Sequence, residues 1–476
     1  MKVIDKYREF KRRCSDMIDN PLVYAAIDAL SAVFPAKGRN EDAVRFSDRE
    51  KAHAKDYGDP LEHVPALVDG HLDRNKILLG TPVFYYDENF TGEDIKRIAD
   101  AGFDFIVTDA RQKMWEKLFD DCEKYSVGVI AMDNYLPDGP QIMNMDLDSE
   151  VIFDSYRKHP AQVGNMGWDE PNAENFHYIA KYYSLYKKCL PEQFLFNNLF
   201  PGGATKKMRG TKTYKEYIDS FSAQVDSDYI SMDIYPFHPL KVMNIVSMYI
   251  CLNTYHCLGN ACRRDGKDFW LYTQTQGKWY SHFYNLPTYE QVKWQIWASL
   301  CYGARSIIQV GYTPVWGSDA YAMVDKQGNV TEQYIYAKRI NSEIIKLSPV
   351  LVHYRNLGVT QTKSEKTNPH FAAALLKQAA NNREQGFDGI PQVRCIESES
   401  SALAGYFREE NGSSHALMLV NCKNLYDSEA SQYITVKFAS TVNAAVYAHG
   451  EKISEVSTSA LKIDIGSCDG VFITFR

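Results

Sequence analysis

The chain is 476 residues long, 45% hydrophobic, with a formal charge of -7. At roughly 100–200 residues per domain, that length holds two or three domains with ample core. The acidic balance argues against a nucleic-acid partner, whose binder carries a basic surplus, and no apolar run reaches the ~18 residues of a membrane span.

In chain order, the N-terminus "MKVIDKYREFKRRCSD" stays charged where a secretory signal needs an apolar stretch of roughly 7–15 residues. A cytoplasmic protein is the expectation, with a secreted form whose signal has been removed left open. The ten cysteines are scattered and form no CxxC, which reads as reduced thiols. Residues 1–75 are mostly helix-like, as in "PLVYAAIDALSAVF", and are expected to form an N-terminal helical extension.

From about residue 77 strand-length apolar runs alternate with helical patterns. The strand candidates are "KILLGTPVFYY", "FDFIVTDAR", "VGVIAMDNY", "AQVGNMGWDE", "QFLFNNL", "DYISMDIYPF", "DFWLYTQTQG" and "RSIIQVGYT". Helical stretches such as "GEDIKRIADAG", "DSEVIFDSYRKHP" and "TYEQVKWQIWASLCYGA" separate them, and "TEQYIYAKRINSEIIKL" closes the series. Such alternation predicts βαβ units and a parallel sheet. The strands are apolar almost throughout, as strands covered on both faces must be. The fold class predicted is α/β: a (β/α)₈ barrel over residues 76–350. A doubly wound open sheet competes, but no GxGxxG follows the first strand. Over 351–476 short alternating runs such as "QYITVKF" and "GVFITFR", separated by turn residues, predict an all-β sandwich.

In such a barrel the chemistry sits at the C-terminal ends of the strands. Those ends carry Tyr85, Asp109, Asp133, then Trp168, Asp169 and Glu170, then Asn197 and Asn198. Asp233, Tyr235 and His238 follow, then Gln274, Gln276 and Trp279, and last Tyr312 and Trp316. Carboxylates and amides hydrogen-bond hydroxyls, and aromatic faces stack on sugar rings. A phosphate site would want cations or a glycine-rich helix start. A zinc site would want converging His or Cys, and the strand ends offer only His238. The expectation is an uncharged polyhydroxyl substrate, with no metal and no cofactor. A bland alternative is that each Asp caps the helix that follows, and "WDEP" itself suits a helix start.

On the "WDEP" at residues 168–171, the "SMDIYPF" of the sixth strand and the run into the eighth strand, the sequence resembles the glycoside hydrolase superfamily of (β/α)₈ barrels. The likeness is greatest to the clan of β-galactosidases and cellulase-like enzymes and covers about residues 77–350. In that clan the fourth strand ends Asn-Glu-Pro, so the resemblance implies Glu170 as acid/base, with Asp169 in place of the Asn. The seventh strand of the clan ends in a nucleophilic Glu. Here Gln274 (or Gln276) stands there, and an amide cannot form the glycosyl ester.

Three mechanisms follow. Asp233, Asp133 or Asp109 activates water in an inverting enzyme, whose carboxyls stand ~6.5–9.5 Å apart. Alternatively a 2-acetamido group of the substrate attacks while Asp169 orients it, an Asp-Glu pair that resembles the retaining hexosaminidases. Or the barrel binds carbohydrate without cutting it. A metal-assisted lyase or aldolase on the same barrel is disfavoured by the lack of His ligands. In the enzyme readings ionised Asp169 raises the pKa of Glu170 and keeps it a proton donor. Tyr85, Asp109, Asp133, Trp168, Asn197, Tyr235, Gln274, Gln276, Trp279, Tyr312 and Trp316 are the expected substrate contacts. A carbohydrate is the expected partner, with no nucleic acid and no membrane; a homo-oligomer is left open.

Overall fold

The computed structural model describes residues 58–84, 90–110, 115–133, 136–144, 159–238, 241–277, 285–315, 320–364 and 387–476. Eight parallel strands close into a barrel: β1 Leu78–Val83, β2 Phe105–Asp109, β3 Gly128–Met132, β4 Gln162–Asp169, β5 Phe194–Leu199, β6 Tyr229–Asp233, β7 Asp268–Gln274 and β8 Ala304–Val310. Each pairs with its sequence neighbour, and β8 returns to β1 with Ser306 opposite Leu78. The outer helices are α1 Gly92–Asp100, α2 Trp115–Lys124, α3 Phe176–Cys189, α4 Tyr214–Gln224, α5 Lys241–Asp265, α6 Tyr289–Cys301 and α7 Glu332–Leu351. Threonines 91, 213 and 288 open α1, α4 and α6 with capping boxes, which satisfy N–H groups the helices leave free.

Alternation along the strands sends one set of side chains inward and one outward. The inward set is rich in aromatics: Phe105, Phe194, Phe196, Tyr229, Trp270 and Tyr272 fill the barrel together with aliphatic side chains such as Val107, Ile130 and Ile308, with the Tyr229 and Trp270 rings stacked at 4.6 Å. The outward set packs under the helices. The barrel is therefore a filled core, and only its ends can host chemistry.

The N-terminal end is plugged. Of the helical extension expected over residues 1–75, the described part, residues 58–75, contains a short hairpin, Leu67–Val68 paired with His71–Leu72, and no helix. Leu72 joins the barrel core and lies against Gly128 at the start of β3. Burial of Ala66 and Leu72 helps to hold this segment in place, together with the Leu61 N–H donating to the Asp100 carbonyl and Arg74 paired with Asp268. Residues 1–57 and the expected third helix at "DSEVIFDSYRKHP" lie outside the described residues, except for its last two.

The C-terminal sheet contains β9 Tyr354–Gln361, β10 Lys363–Ser364, β11 Val393–Ser398, β12 Ala402–Glu409, β13 His415–Asn421, β14 Gln432–Ala448, β15 Glu451–Ile465 and β16 Gly470–Phe475. Hydrogen bonding runs through it in the order β9-β12-β13-β16-β14-β11-β10, with β15 on β14. Strand β14 pairs with β11 through its first half and with β16 through its second. The sheet thus curls around a core that includes Tyr406, Leu417, Val436 and Ile473. Its other face lies on α6: a Cβ at Gly405 would come within 2.3 Å of the Cys301 carbonyl, and one at Gly470 within 2.5 Å of the Trp297 ring. Glycine at both positions lets sheet and helix touch.

Candidate active site at the barrel mouth

The site begins with an irregularity in β4. Met166 pairs with Phe196 and Asp169 with Asn198, so three steps on β4 match two on β5. The extra residue is a bulge, which resets the alternation. Met166 belongs to the barrel core, Trp168 to the layer under the helices, and Asp169 comes beside Asn198 at the mouth. Gly164 and Gly167 allow this tight pairing, since Cβ atoms there would lie 2.4 Å from the Phe194 carbonyl and from the Asn197 Oδ1.

Glu170 follows in the left-handed region, with φ +51°. Its N–H donates to the Asn198 carbonyl at 2.8 Å, and the next residue is held by Tyr217, whose hydroxyl donates to the Pro171 carbonyl at 2.6 Å. The turn lets Asp169 and Glu170 leave the strand without the opposed directions that a regular strand imposes.

Asn198 gathers the carboxylates. Its Nδ2 donates to Asp169 Oδ1 at 3.2 Å and to Asp233 Oδ1 at 3.1 Å, and its Oδ1 accepts from the Ser231 hydroxyl at 3.0 Å. Both amide hydrogens are used, so one side chain fixes the carboxyls of β4 and β6 as a pair.

All three carboxyls are harder to ionise than usual. Burial, and then the Asp169 charge, push Glu170 from 4.5 to about 7. Burial pushes Asp233 well up, reinforced by Glu170 and Asp169 and opposed by Asn198. Asp169 is raised by the protein crowding around it, against its Asn198 hydrogen bond, although solvent still reaches it from the mouth. Burial, and then the charges of Asp169 and Asp233, make the phenol of Tyr272, the inward residue of β7 nearest the mouth, harder to ionise.

Of the residues expected to face substrate, the structure brings Asp169, Glu170 and Asp233 together. Asp109 continues the inward alternation of Phe105 and Val107, and Tyr235 packs on the barrel core. Others have different duties. Asp133 accepts from the Leu136 N–H at 3.0 Å and from Asn165 Nδ2 at 2.9 Å, and Asn165 in turn takes the Tyr186 hydroxyl of α3. Trp168 is buried core. Asn197 is buried and accepts from the Trp168 N–H at 3.0 Å. Tyr312 is buried and donates to Asp94 of α1 at 2.8 Å. Tyr85, Trp279 and Trp316 lie outside the described residues.

The glutamines depart furthest from expectation. Gln274 is fully buried: its Oε1 accepts from the Phe237 N–H at 2.9 Å, and its Nε2 donates to the Asn285 carbonyl at 2.8 Å and to the Phe237 carbonyl at 3.3 Å. It ties the loop after β6 to the loop after β7. Gln276 is equally buried and accepts from the Val315 N–H at 3.1 Å, leaving Nε2 without a partner. Sequence reasoning favours Asn197 over Asn198 as a substrate contact and passes over Tyr272. Both are reachable by counting alternate positions from the inward aromatics Phe196 and Trp270.

No protein-family model matches the sequence, and no curated protein matches it. Among solved structures, a protein described as a glycoside hydrolase superposes with a TM-score of 0.50 at 10% identity, covering 87% of this chain and 98% of that one. A catalytic mutant of a GH42 β-galactosidase from G. stearothermophilus gives a TM-score of 0.48 at 9% identity, covering 88% of this chain and 100% of its own. The β-galactosidase of the Antarctic haloarchaeon Halorubrum lacusprofundi gives 0.43 at 10% identity over 63% of this chain, which spans 62% of that protein's length. At such identities the first of these likenesses speaks for a shared barrel-and-sheet fold.

Proposed function

We propose that the chain is a glycoside hydrolase that cleaves an O-glycosidic bond in an oligosaccharide or glycoside, with Glu170 as the proton donor. The observation that carries this reading is the placement of Glu170 at the mouth end of β4, partly exposed, with its pKa raised to about 7 beside Asp169. A leaving glycosidic oxygen needs a proton from a neutral acid poised near the working pH. The likeness in fold to a protein described as a glycoside hydrolase supports the reading by analogy.

Asp169 is the carboxyl best suited to act ionised, because solvent reaches it and Asn198 supports its charge. It either activates a water on the far side of the sugar or orients a 2-acetamido group of the substrate. Asp233, whose burial and neighbouring carboxylates favour its neutral form, donates to a substrate hydroxyl. Gln274 takes no part: no carboxylate stands at that strand end, and its amide is engaged with loop backbone.

The test is turnover of a panel of aryl glycosides, with the anomer of the product read by NMR. An inverted product assigns Asp169 to water; a retained product from acetamido sugars alone assigns it to the neighbouring group. Unchanged turnover in Glu170→Gln refutes the proposal. Sugar binding by calorimetry without turnover of any glycoside leaves the chain a carbohydrate-binding barrel.

A further inference from the structure

Far from the mouth, on the seam between α7 and the C-terminal sheet, a second group of ionisable side chains converges. Glu343 comes from α7, His449 from the turn between β14 and β15, and Asp469 from the residue before β16. One ligand-type atom of each lies within 4.8 Å of the other two. His449 Nδ1 is 3.6 Å from Asp469 Oδ2 and 3.9 Å from Glu343 Oε1.

We propose that these three side chains form a binding site for a divalent cation of the zinc class, which pins the C-terminal sheet to the last barrel helix. Imidazole nitrogen and carboxylate oxygen are ligands such a cation accepts, at ~2.0–2.2 Å, which sets tetrahedral ligand atoms roughly 3.3 Å apart. The two separations from His449 exceed that value by a few tenths of an ångström, and all three ligand atoms lie within 4.8 Å of one another, so binding requires the side chains to draw together.

A separate observation points to a missing partner. Glu343 is 8% exposed, and its Oε2 is buried with no hydrogen-bond partner. A buried carboxylate oxygen left alone is costly; an ion bound there removes the cost. The backbone is also committed to the arrangement. His449 has φ +51°, and Gly450 has φ +80° with its Cβ position 2.4 Å from the Glu343 carbonyl, so the turn rests directly on α7. An open groove of about 460 Å³, lined in part by Glu343, His449 and Lys346, gives an ion access from solvent.

Two cations already stand nearby. Lys293 Nζ is 3.0 Å from Asp469 Oδ2, and Arg339 lies over the Tyr289 ring that Lys293 also faces. Asp469 Oδ1 accepts from the Gly470 N–H at 2.9 Å, so the ion would share Oδ2 with Lys293, which the two lone pairs of that oxygen allow. Lys293 lowers the affinity without blocking the site.

The test uses the full chain, stripped with a chelator and titrated with zinc by calorimetry and by thermal unfolding. One equivalent is expected to bind and to raise Tm, since a ligand of the folded state stabilises it. His449→Asn, which tolerates the left-handed turn, and Glu343→Gln should each weaken binding by more than about tenfold. Lys293→Met should tighten it. Absence of saturable zinc binding overturns the proposal, as does zinc binding that both ligand variants leave intact. None of these outcomes depends on the role of Glu170.

Discussion

On the β4–β6 side of the barrel mouth, Asp169, Glu170 and Asp233 crowd around one amide and remain in reach of a ligand. On the β7 side, Gln274 and Gln276 occupy the matching strand end and are sealed off by loops. The residue types are alike in polarity. The difference lies in what crosses above them: on the first side a bulge and a left-handed turn lift Asp169 and Glu170 toward the opening, while on the second, loop backbone descends, engages both ends of the Gln274 amide and donates to the Gln276 Oε1. A strand end is therefore a place where chemistry can occur, and the loops decide whether it does.

Substitution on the acidic side should have the largest effect. Glu170→Gln should lower kcat/KM by ~10²–10⁴-fold, the usual worth of a positioned proton donor, with sugar affinity preserved in calorimetry. At the sealed side, Gln274→Glu should cost about 3 kcal/mol of stability in denaturant unfolding, because a carboxylate there faces the Phe237 and Asn285 carbonyls. A gain of retaining activity in that variant would mean the two sides are interchangeable, contrary to their hydrogen bonding.

A smaller effect is expected at the hinge of the acid cluster. Asn198→Ala removes the donor shared by Asp169 and Asp233 and should cost about 1–3 kcal/mol. Both carboxyls then become harder to ionise, so the acid limb of the pH–rate profile moves to higher pH. On the alkaline limb, kcat/KM of the unmodified protein should fall as pH rises through about 7, where Glu170 loses its proton. Asp169→Asn removes the like charge and should move that limb to lower pH.

Stability should follow the same groups with a definite sign. A carboxyl whose folded pKa is raised stabilises the fold fully below its unfolded value, and that contribution fades as pH climbs through the folded value. For Glu170 the window runs from 4.5 to about 7. Across it the chain should lose up to about 3 kcal/mol from this group, and Glu170→Gln should flatten the slope in urea titrations at successive pH values.

The barrel is readable because its signal is long-range and redundant. Eight apolar strands alternating with helices leave few architectures open, and the closed parallel sheet follows from them. The inward aromatics are equally legible from alternation. What fails is local. The two glycines of "GNMGWDEP" hint at an irregular strand without saying where the extra residue falls, and without the bulge the parity of Trp168 and Asp169 comes out reversed. The difference between Asn197 and Asn198 is also one of parity, lost when both are read simply as strand-end amides. The fate of Gln274 depends on where distant loops land, information that the residues of β7 do not contain. The continuous curl of the C-terminal sheet rests on one strand, β14, serving two partners in turn, and short-strand spacing cannot reveal that.

The left-handed backbone at Glu170 sets stability against use over evolutionary time. Glycine takes that conformation freely, whereas a side chain there costs on the order of 1 kcal/mol. A laboratory selection for heat resistance alone should therefore enrich the Glu170→Gly substitution, giving clones that are robust and inert. A selection that also demands turnover should hold the glutamate against that pull.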